Sequence, residues 1–194
     1  MGFTGVIAMA QHTLSVLVEN SPGVLARVAS LFSRRGYNID SLAVGPTESP
    51  EISRITIVLN LEGHALDQVS AQLFKLVNVI GIQEMEDKNS HQRELLMVKV
   101  NSAGDNRSKI EAVVGRYRAS IVSQASSSLT IEAIGSSAEI AALLGELTSF
   151  GIKELVQSGL IALEIGDATL AERTLQETGL ASSSTHSQTE DYQN

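Results

Sequence analysis

The sequence predicts an α+β protein built from two consecutive βαββαβ units. Three observations carry this reading. A short apolar run at residues 14–18 meets a Pro-Gly turn and passes at once into a four-residue apolar period, Val24, Val28 and Phe32. The same order of strand, helix, two strands, helix and strand can be followed twice along the 194 residues. Between the two passes lies a polar stretch with no periodicity, residues 87–92.

The first unit opens with Leu14-Ser-Val-Leu-Val18, bounded by Glu19-Asn20-Ser21-Pro22-Gly23, which reads as a buried strand entering a turn. Val24, Val28 and Phe32, with Leu25 and Ala29 beside them, mark one face of a helix, while Arg27, Ser30, Ser33 and Arg34 point away. Gly36 stands where that helix should stop, and residues 37–44 read as the next strand. After a loop at 45–50, residues 52–60 alternate and are rich in β-branched side chains, as a half-buried strand requires. Gly63 breaks the pattern. Leu66, Val69, Leu73, Leu76 and Val77 then define a second helical face, and residues 79–85 close the unit as a strand.

The second unit repeats the order. Residues 94–100 are a strand; Ile110, Val113, Val114 and Tyr117 mark a helix; residues 120–123 and 129–134 are strands around a Ser-rich turn. Ile140, Leu143, Leu144 and Leu147 form another helical face, followed by extended pieces at 152–157 and 160–165. Two tandem ferredoxin-like domains follow, each an antiparallel sheet with helices on one face. Their expected limits are 11–86 and 93–167, with an N-terminal extension at 1–10 and a linker at 87–92. Residues 168–180 have the pattern of a short helix with Leu170 and Leu175 as its main apolar side chains. Residues 181–194 are polar and low in complexity, so the tail at 168–194 is expected to be largely disordered. A domain of roughly 75 residues is marginal alone, and dimerisation would cover its exposed sheet edge.

Composition narrows the function. A net charge of −8 lacks the basic face that nucleic acid demands. The absence of cysteine removes disulfides, thiolate metal sites and Cys nucleophiles together. No apolar run approaches the roughly 20 residues of a membrane helix, and residues 1–10 contain no Lys or Arg to form a signal or transit peptide. A cytoplasmic chain is expected. His12, His64, His91 and His186 are far apart and lack zinc-ligand spacing. Glu84, Glu86 and Asp87 read as a solvated strand end, and Arg34-Arg35 equally as favourable charge at a helix C-terminus or as a contact for a partner. With no P-loop, Gly-x-Gly-x-x-Gly or Gly-x-Ser-x-Gly, no catalytic residue, metal or cofactor is expected in this chain.

The chemistry lies in the first turn. Asn20 and Ser21 are good caps, Pro22 has no N–H to lose, and Gly23 lets a ligand approach the backbone. A helix start offers unpaired N–H groups and partial positive charge, which suit a carboxylate or phosphate. The side-chain oxygens of Asn20 and Asn38 are acceptors of the kind an ammonium needs. The same residues also make an ordinary strand-to-helix turn.

A longer pattern decides between these readings. Glu19-Asn20-Ser21-Pro22-Gly23-Val24-Leu25-x-Arg27-Val28-x-x-Leu31-Phe32-x-x-Arg35-Gly36-Tyr37-Asn38-Ile39-x-Ser41-Leu42 closely resembles the opening of acetolactate (acetohydroxyacid) synthase small subunits, which begin with an ACT domain. The likeness continues through Val44-x-Pro46-Thr47, Ser53-Arg54-x-Thr56-Ile57, Gln72-Leu73-x-Lys75-Leu76-Val77 and Arg93-Glu94-Leu95-x-Met97-Val98-Lys99, about residues 11 to 167 in all. The resemblance implies a regulatory subunit of branched-chain amino acid biosynthesis that dimerises through its first domain. It implies a branched-chain effector, chiefly valine, held by Asn20, Ser21, Pro22, Gly23, Val24 and Leu25 of one protomer and Asn38 and Ile39 of its neighbour. The backbone N–H groups of residues 23–25 would take the carboxylate, an Asn oxygen the ammonium, and Val24, Leu25 and Ile39 the side chain. It further implies a separate large catalytic subunit carrying thiamine diphosphate, Mg²⁺ and FAD. A stand-alone amino-acid-sensing module with another partner is the alternative; the match at 93–99 favours the first reading.

Overall fold

The computed structural model describes residues 9–62 and 65–177; the expectations for residues 1–8 of the N-terminal extension, Gly63, His64, His186 and residues 178–194 lie outside them. The first unit comprises β1 (Met9–Glu19), α1 (Val24–Arg35), β2 (Ser41–Pro46), β3 (Ile52–Glu62), α2 (Ala65–Leu73) and β4 (Val79–Glu84). Its sheet is antiparallel in the order β2-β3-β1-β4, which leaves β2 and β4 as edges. Leu14, Val16, Ile55, Ile57 and Leu59 of the central strands are buried against Val28, Leu31 and Phe32 of α1 and Val69 and Leu73 of α2. The alternation of β1 and the four-residue spacing of α1 meet at that surface, as the apolar pattern requires.

The second unit comprises β5 (Ser90–Asn101), α3 (Asn106–Val114), β6 (Ala119–Gln124), β7 (Ser128–Gly135), α4 (Ser137–Thr148), β8 (Ile152–Gln157) and β9 (Ile161–Glu164). Its strands follow the order β6-β7-β5-β8, with β9 paired to the first residues of β5. Leu96, Val98, Val100, Leu129 and Ile131 pack against Ile110, Ile140, Leu143 and Leu147 to form a second, separate core. Ser136 caps α4 in a reciprocal capping box with Glu139.

Several expectations change. The strand expected at 37–44 starts only at Ser41, because Tyr37 and Ile39 turn in to pack on the first core before the ladder begins. The second helix ends at Leu73; tight turns donated by the N–H groups of Leu76 and Val79 follow, and Val77 points to solvent, 87% exposed, not onto the core. Residues 90–92 of the expected linker are strand, since the register Ser90↔Glu164 to Arg93↔Ile161 makes a two-stranded ribbon.

In the C-terminal stretch the short helix expected within 168–180 is formed as α5 (Leu170–Glu177) and packs on β4, so these residues are not part of a disordered tail. Thr174 Oγ1 lies 2.2 Å from where a Cβ on Gly81 would stand. Gly81 opposes Leu17 while Ile82 opposes core Val16, so α5 sits on the face of the first sheet away from α1 and α2. That face carries the buried Leu17, Ser15 and Met85. A second junction joins the domains: the Leu160 N–H donates to Ser41 Oγ at 2.8 Å. Gly159, in the left-handed region at φ 80°, brings its Cα so close that a Cβ would stand 2.8 Å from the Leu42 carbonyl oxygen.

Candidate functional site

The turn between β1 and α1 is held from three sides. The Asn20 N–H donates to the Glu51 carbonyl at 2.7 Å, and Asn20 Nδ2 donates to the Pro50 carbonyl at 2.9 Å, which ties the turn to the β2–β3 hairpin. The Glu19 N–H donates to the Asn78 carbonyl at 2.9 Å. The Asn78 side chain, almost fully buried, accepts from Arg27 Nη1 and donates to Glu19 Oε2. One amide thus joins the end of β1, the first turn of α1 and the start of β4.

The caps expected from Asn20 and Ser21 are not made. Asn20 is turned toward Pro50, and the N-cap of α1 is Gly23 at φ 85°, with no side-chain cap and no acidic residue in the first turn. Ser21 contributes its carbonyl, which accepts from the Val24 N–H at 3.4 Å. Among the described residues, the N–H groups of Gly23, Leu25 and Ala26 find no acceptor, and Pro22 has none to satisfy. The positive end of α1 is therefore open and electrically uncompensated.

The apolar wall is smaller than expected. Val24 is buried in the first core and cannot face a ligand, and its N–H is already engaged. Leu25 is 41% exposed beside the free N–H groups. Ile39 is half-buried against the core.

Asn38 and Ile39 follow the other end of α1. A helix of 12 residues spans about 18 Å at 1.5 Å per residue, so one chain does not bring Asn38 to the Asn20–Leu25 turn. Asn38 Nδ2 donates to Asp40 Oδ1 at 2.6 Å, which leaves its own Oδ1 open as an acceptor. Asn60 Nδ2 donates to the second oxygen of Asp40. These three side chains line an open cavity of about 690 Å³ with Gly36, Tyr37 and Glu62. Asp40 and Asn60 escaped the sequence reading. The spacing Asn38-x-Asp40 was a usable signal, since extended chain puts both on one side, whereas Asn60 arrives only through the β2–β3 register. Asn78 and Arg27 were likewise not seen, because their link crosses 51 residues.

No three carboxylate or imidazole side chains gather as a metal would need among the described residues. His12 Nδ1 pairs with Glu84 Oε1 at 2.7 Å, a cross-strand contact between β1 and β4. Among the described residues no helix is long and apolar enough to cross a membrane.

Fold and turn together define the class: an ACT-type ferredoxin-like domain followed by a second domain of the same topology. Residues 14–81 match the family model of the AHAS small subunit-like ACT domain, and residues 93–166 match that of the small subunit of acetolactate synthase. The acetolactate synthase small subunit of Mycobacterium leprae is 51% identical over 160 residues, 82% of this chain and 95% of that one. The probable acetolactate synthase small subunit of Methanothermobacter thermautotrophicus is 42% identical over 160 residues, with the same coverage of 82% and 95%. The crystal structure of the small subunit from Thermotoga maritima superimposes with a TM-score of 0.76 at 30% identity, covering 82% of this chain and 99% of the other. This chain belongs to the acetolactate synthase small subunit family.

Proposed function

We propose that the chain is a non-catalytic regulatory subunit that activates the large, catalytic subunit of acetolactate synthase and makes it sensitive to valine. The thiamine diphosphate, Mg²⁺ and FAD of the reaction belong to that partner, in the cytoplasm. Family membership supports the partnership, and the open turn of α1 supports the ligand.

The single observation that carries the ligand reading is the pairing of two complementary, unfinished half-sites at opposite ends of α1. At one end the N–H groups of Gly23 and Leu25 await an anion, with Leu25 as an apolar neighbour. At the other, Asp40 and the free oxygen of Asn38 await a cation, with Ile39 beside them. A zwitterionic amino acid with a short branched side chain satisfies both ends at once. One chain cannot supply both halves, so the site is completed by a second copy, and β2 is an edge strand next to the second half. A ligand that binds only the assembled pair stabilises it and shifts the equilibrium of the whole dimer.

The test is acetolactate production by purified large subunit, alone and with this chain, each with and without valine. A higher rate that valine suppresses is the expected result. An unchanged rate and valine response would overturn the assignment. Asn38→Ala should weaken valine binding at least about tenfold by removing the acceptor, with the melting temperature unchanged; an unaltered calorimetric isotherm would remove Asn38 from the site.

A further inference from the structure

We infer that the cleft between the first sheet, β9 and the start of α5 binds a small zwitterion of the α-amino acid type, at a site separate from the turn of α1. The inference does not depend on the proposed regulatory role. The cleft has a volume of about 200 Å³. Its floor is the outward face of the first sheet, where Arg54 of β3 stands opposite Leu17 of β1, and Gln83 of β4 opposite Ser15 of β1. Glu164 of β9 and residues 166–171 form the other wall. Residues 168–171 lie beyond the family match, which ends at 166, so part of this wall comes from sequence outside the family pattern.

Three polar groups of this cleft are unsatisfied. Gln83 Oε1 and Glu164 Oε2 are buried acceptors with no hydrogen-bond partner among the described residues. The Glu164 side chain is only 12% exposed, and its other oxygen accepts from Arg173 Nη2 at 2.5 Å. Arg54 is half-buried and, among the described residues, has neither a hydrogen-bond acceptor nor a carboxylate within ion-pair distance. A buried acceptor left unpaired is destabilising, so the two oxygens call for a donor, and Arg54 calls for an acceptor. An anion alone answers Arg54 and is repelled by Glu164. An ammonium alone answers the two oxygens and leaves Arg54 unpaired. A molecule with both groups, its ammonium toward Glu164 and Gln83 and its carboxylate toward Arg54, satisfies all three. Glu48 and Asp167 also line the cleft, but both are exposed and solvated, and they do not gather with Glu164 as a metal would need. Leu17, Met85 and Leu170, each more than nine-tenths buried, give a short side chain an apolar wall. Water alone fits poorly, because the volume is several times the roughly 30 Å³ share of one water and these walls offer it no partners. A nucleotide is too large for a space below the roughly 300 Å³ of the smallest drug-sized pockets.

The experiment titrates full-length chain with alanine and with valine and follows the methionine methyl groups by NMR. Met85 lines the cleft, whereas Met97 lies in the second sheet and serves as the control. At least one of the two amino acids should move the Met85 signal saturably and leave Met97 in place. Isobutylamine and isovalerate, which each lack one charge of valine, should bind at least about tenfold more weakly than valine. Arg54→Gln should weaken the amino acid about tenfold or more by removing the partner of its carboxylate. Gln83→Leu, which keeps the volume and removes an orphaned amide, should weaken it about fivefold. If one variant fails to fold, the other decides. No saturable Met85 shift up to about 50 mM, far past a millimolar Kd, would overturn the inference and leave the cleft to water. Isobutylamine or isovalerate binding as tightly as valine, or wild-type affinity in the folded variants, would overturn it as well. Asn38→Ala should leave the Met85 response intact; its loss there would assign the shift to the turn of α1 and remove the separate site.

Discussion

Gly23 offers the sharpest test of how the turn works. Its φ of 85° lies in the left-handed region, and a Cβ there would meet nothing within 4 Å. Replacement therefore costs conformational strain of roughly 1–2 kcal/mol but no collision. Gly23→Ala carries the strain alone. Gly23→Asn adds a neutral side chain that can cap the Leu25 and Ala26 N–H groups, and Asn tolerates this conformation better than most residues. Gly23→Asp adds the same cap with a negative charge at the positive helix end. Capping is worth about 1 kcal/mol, so the Asp and Asn variants should fall within about 1 kcal/mol of wild-type stability, or some 2–4 °C in melting temperature for a chain of this size. Valine affinity should behave differently. A ligand carboxylate held by charge-assisted bonds to two N–H groups gains about 1.5–3 kcal/mol from each. Losing both contacts, even at the lower figure, costs about 3 kcal/mol, on the order of a hundredfold in Kd. Calorimetric titration should rank the losses Ala, then Asn, then Asp, with Asp beyond a hundredfold. If Gly23→Asp binds valine as the wild type does, no carboxylate sits at this helix end. If Gly23→Ala loses as much as Gly23→Asp, backbone geometry and not charge is responsible.

The remaining predictions concern the supports around that turn and the C-terminal helix. Asn78→Ala breaks both side-chain bonds of the Glu19–Asn78–Arg27 network and should cost about 2 kcal/mol, seen as a fall of roughly 4–8 °C in a thermal melt. An unshifted melt would show the network contributes nothing. Gly81→Ala places a methyl group against Thr174 and should expel α5, read as faster proteolysis within 165–177. Adding Thr174→Ala to that variant should restore protection, and failure to do so would separate Gly81 from α5. Glu172 accepts from the Thr169 hydroxyl and N–H, which holds its carboxyl below the ordinary value of 4.5. A depressed carboxylate stabilises fully above that ordinary value and loses its contribution as pH falls through its folded value. The protection of the α5 amides, taken relative to their intrinsic exchange rate at each pH, should therefore fall at the acid end in the wild type, and Glu172→Gln should flatten that dependence. An equal acid response in the variant would assign it elsewhere.

Local pattern was enough for much of the fold. The four-residue spacing of Val24, Val28 and Phe32 and the run 14–18 located α1 and β1, because both periods are set by backbone geometry within a few residues. The repeated element order foretold two sheets, and the Asn20–Gly23 turn stood out by residue type alone. Features that depend on distant chain were not legible. Nothing near Val77 announces that the helix has ended before it, and nothing near Ser90 announces that β9 will pair with it from 74 residues away in the register Ser90↔Glu164. Asn20 looked like a helix cap because the sequence does not reveal Pro50 beside it. Val24 looked like pocket wall until the core claimed it.

The sequence by itself determined the elements, the family pattern and the residues with the right chemistry, because propensity and periodicity are local properties. Only the tertiary structure decided that α5 packs on the open face of the first sheet, that among the described residues nothing covers the outward face of β5, and that the two halves of the candidate site lie at opposite ends of one helix. Those outcomes depend on which surfaces are brought together, and contacts between segments many residues apart are set by the packing of the whole chain.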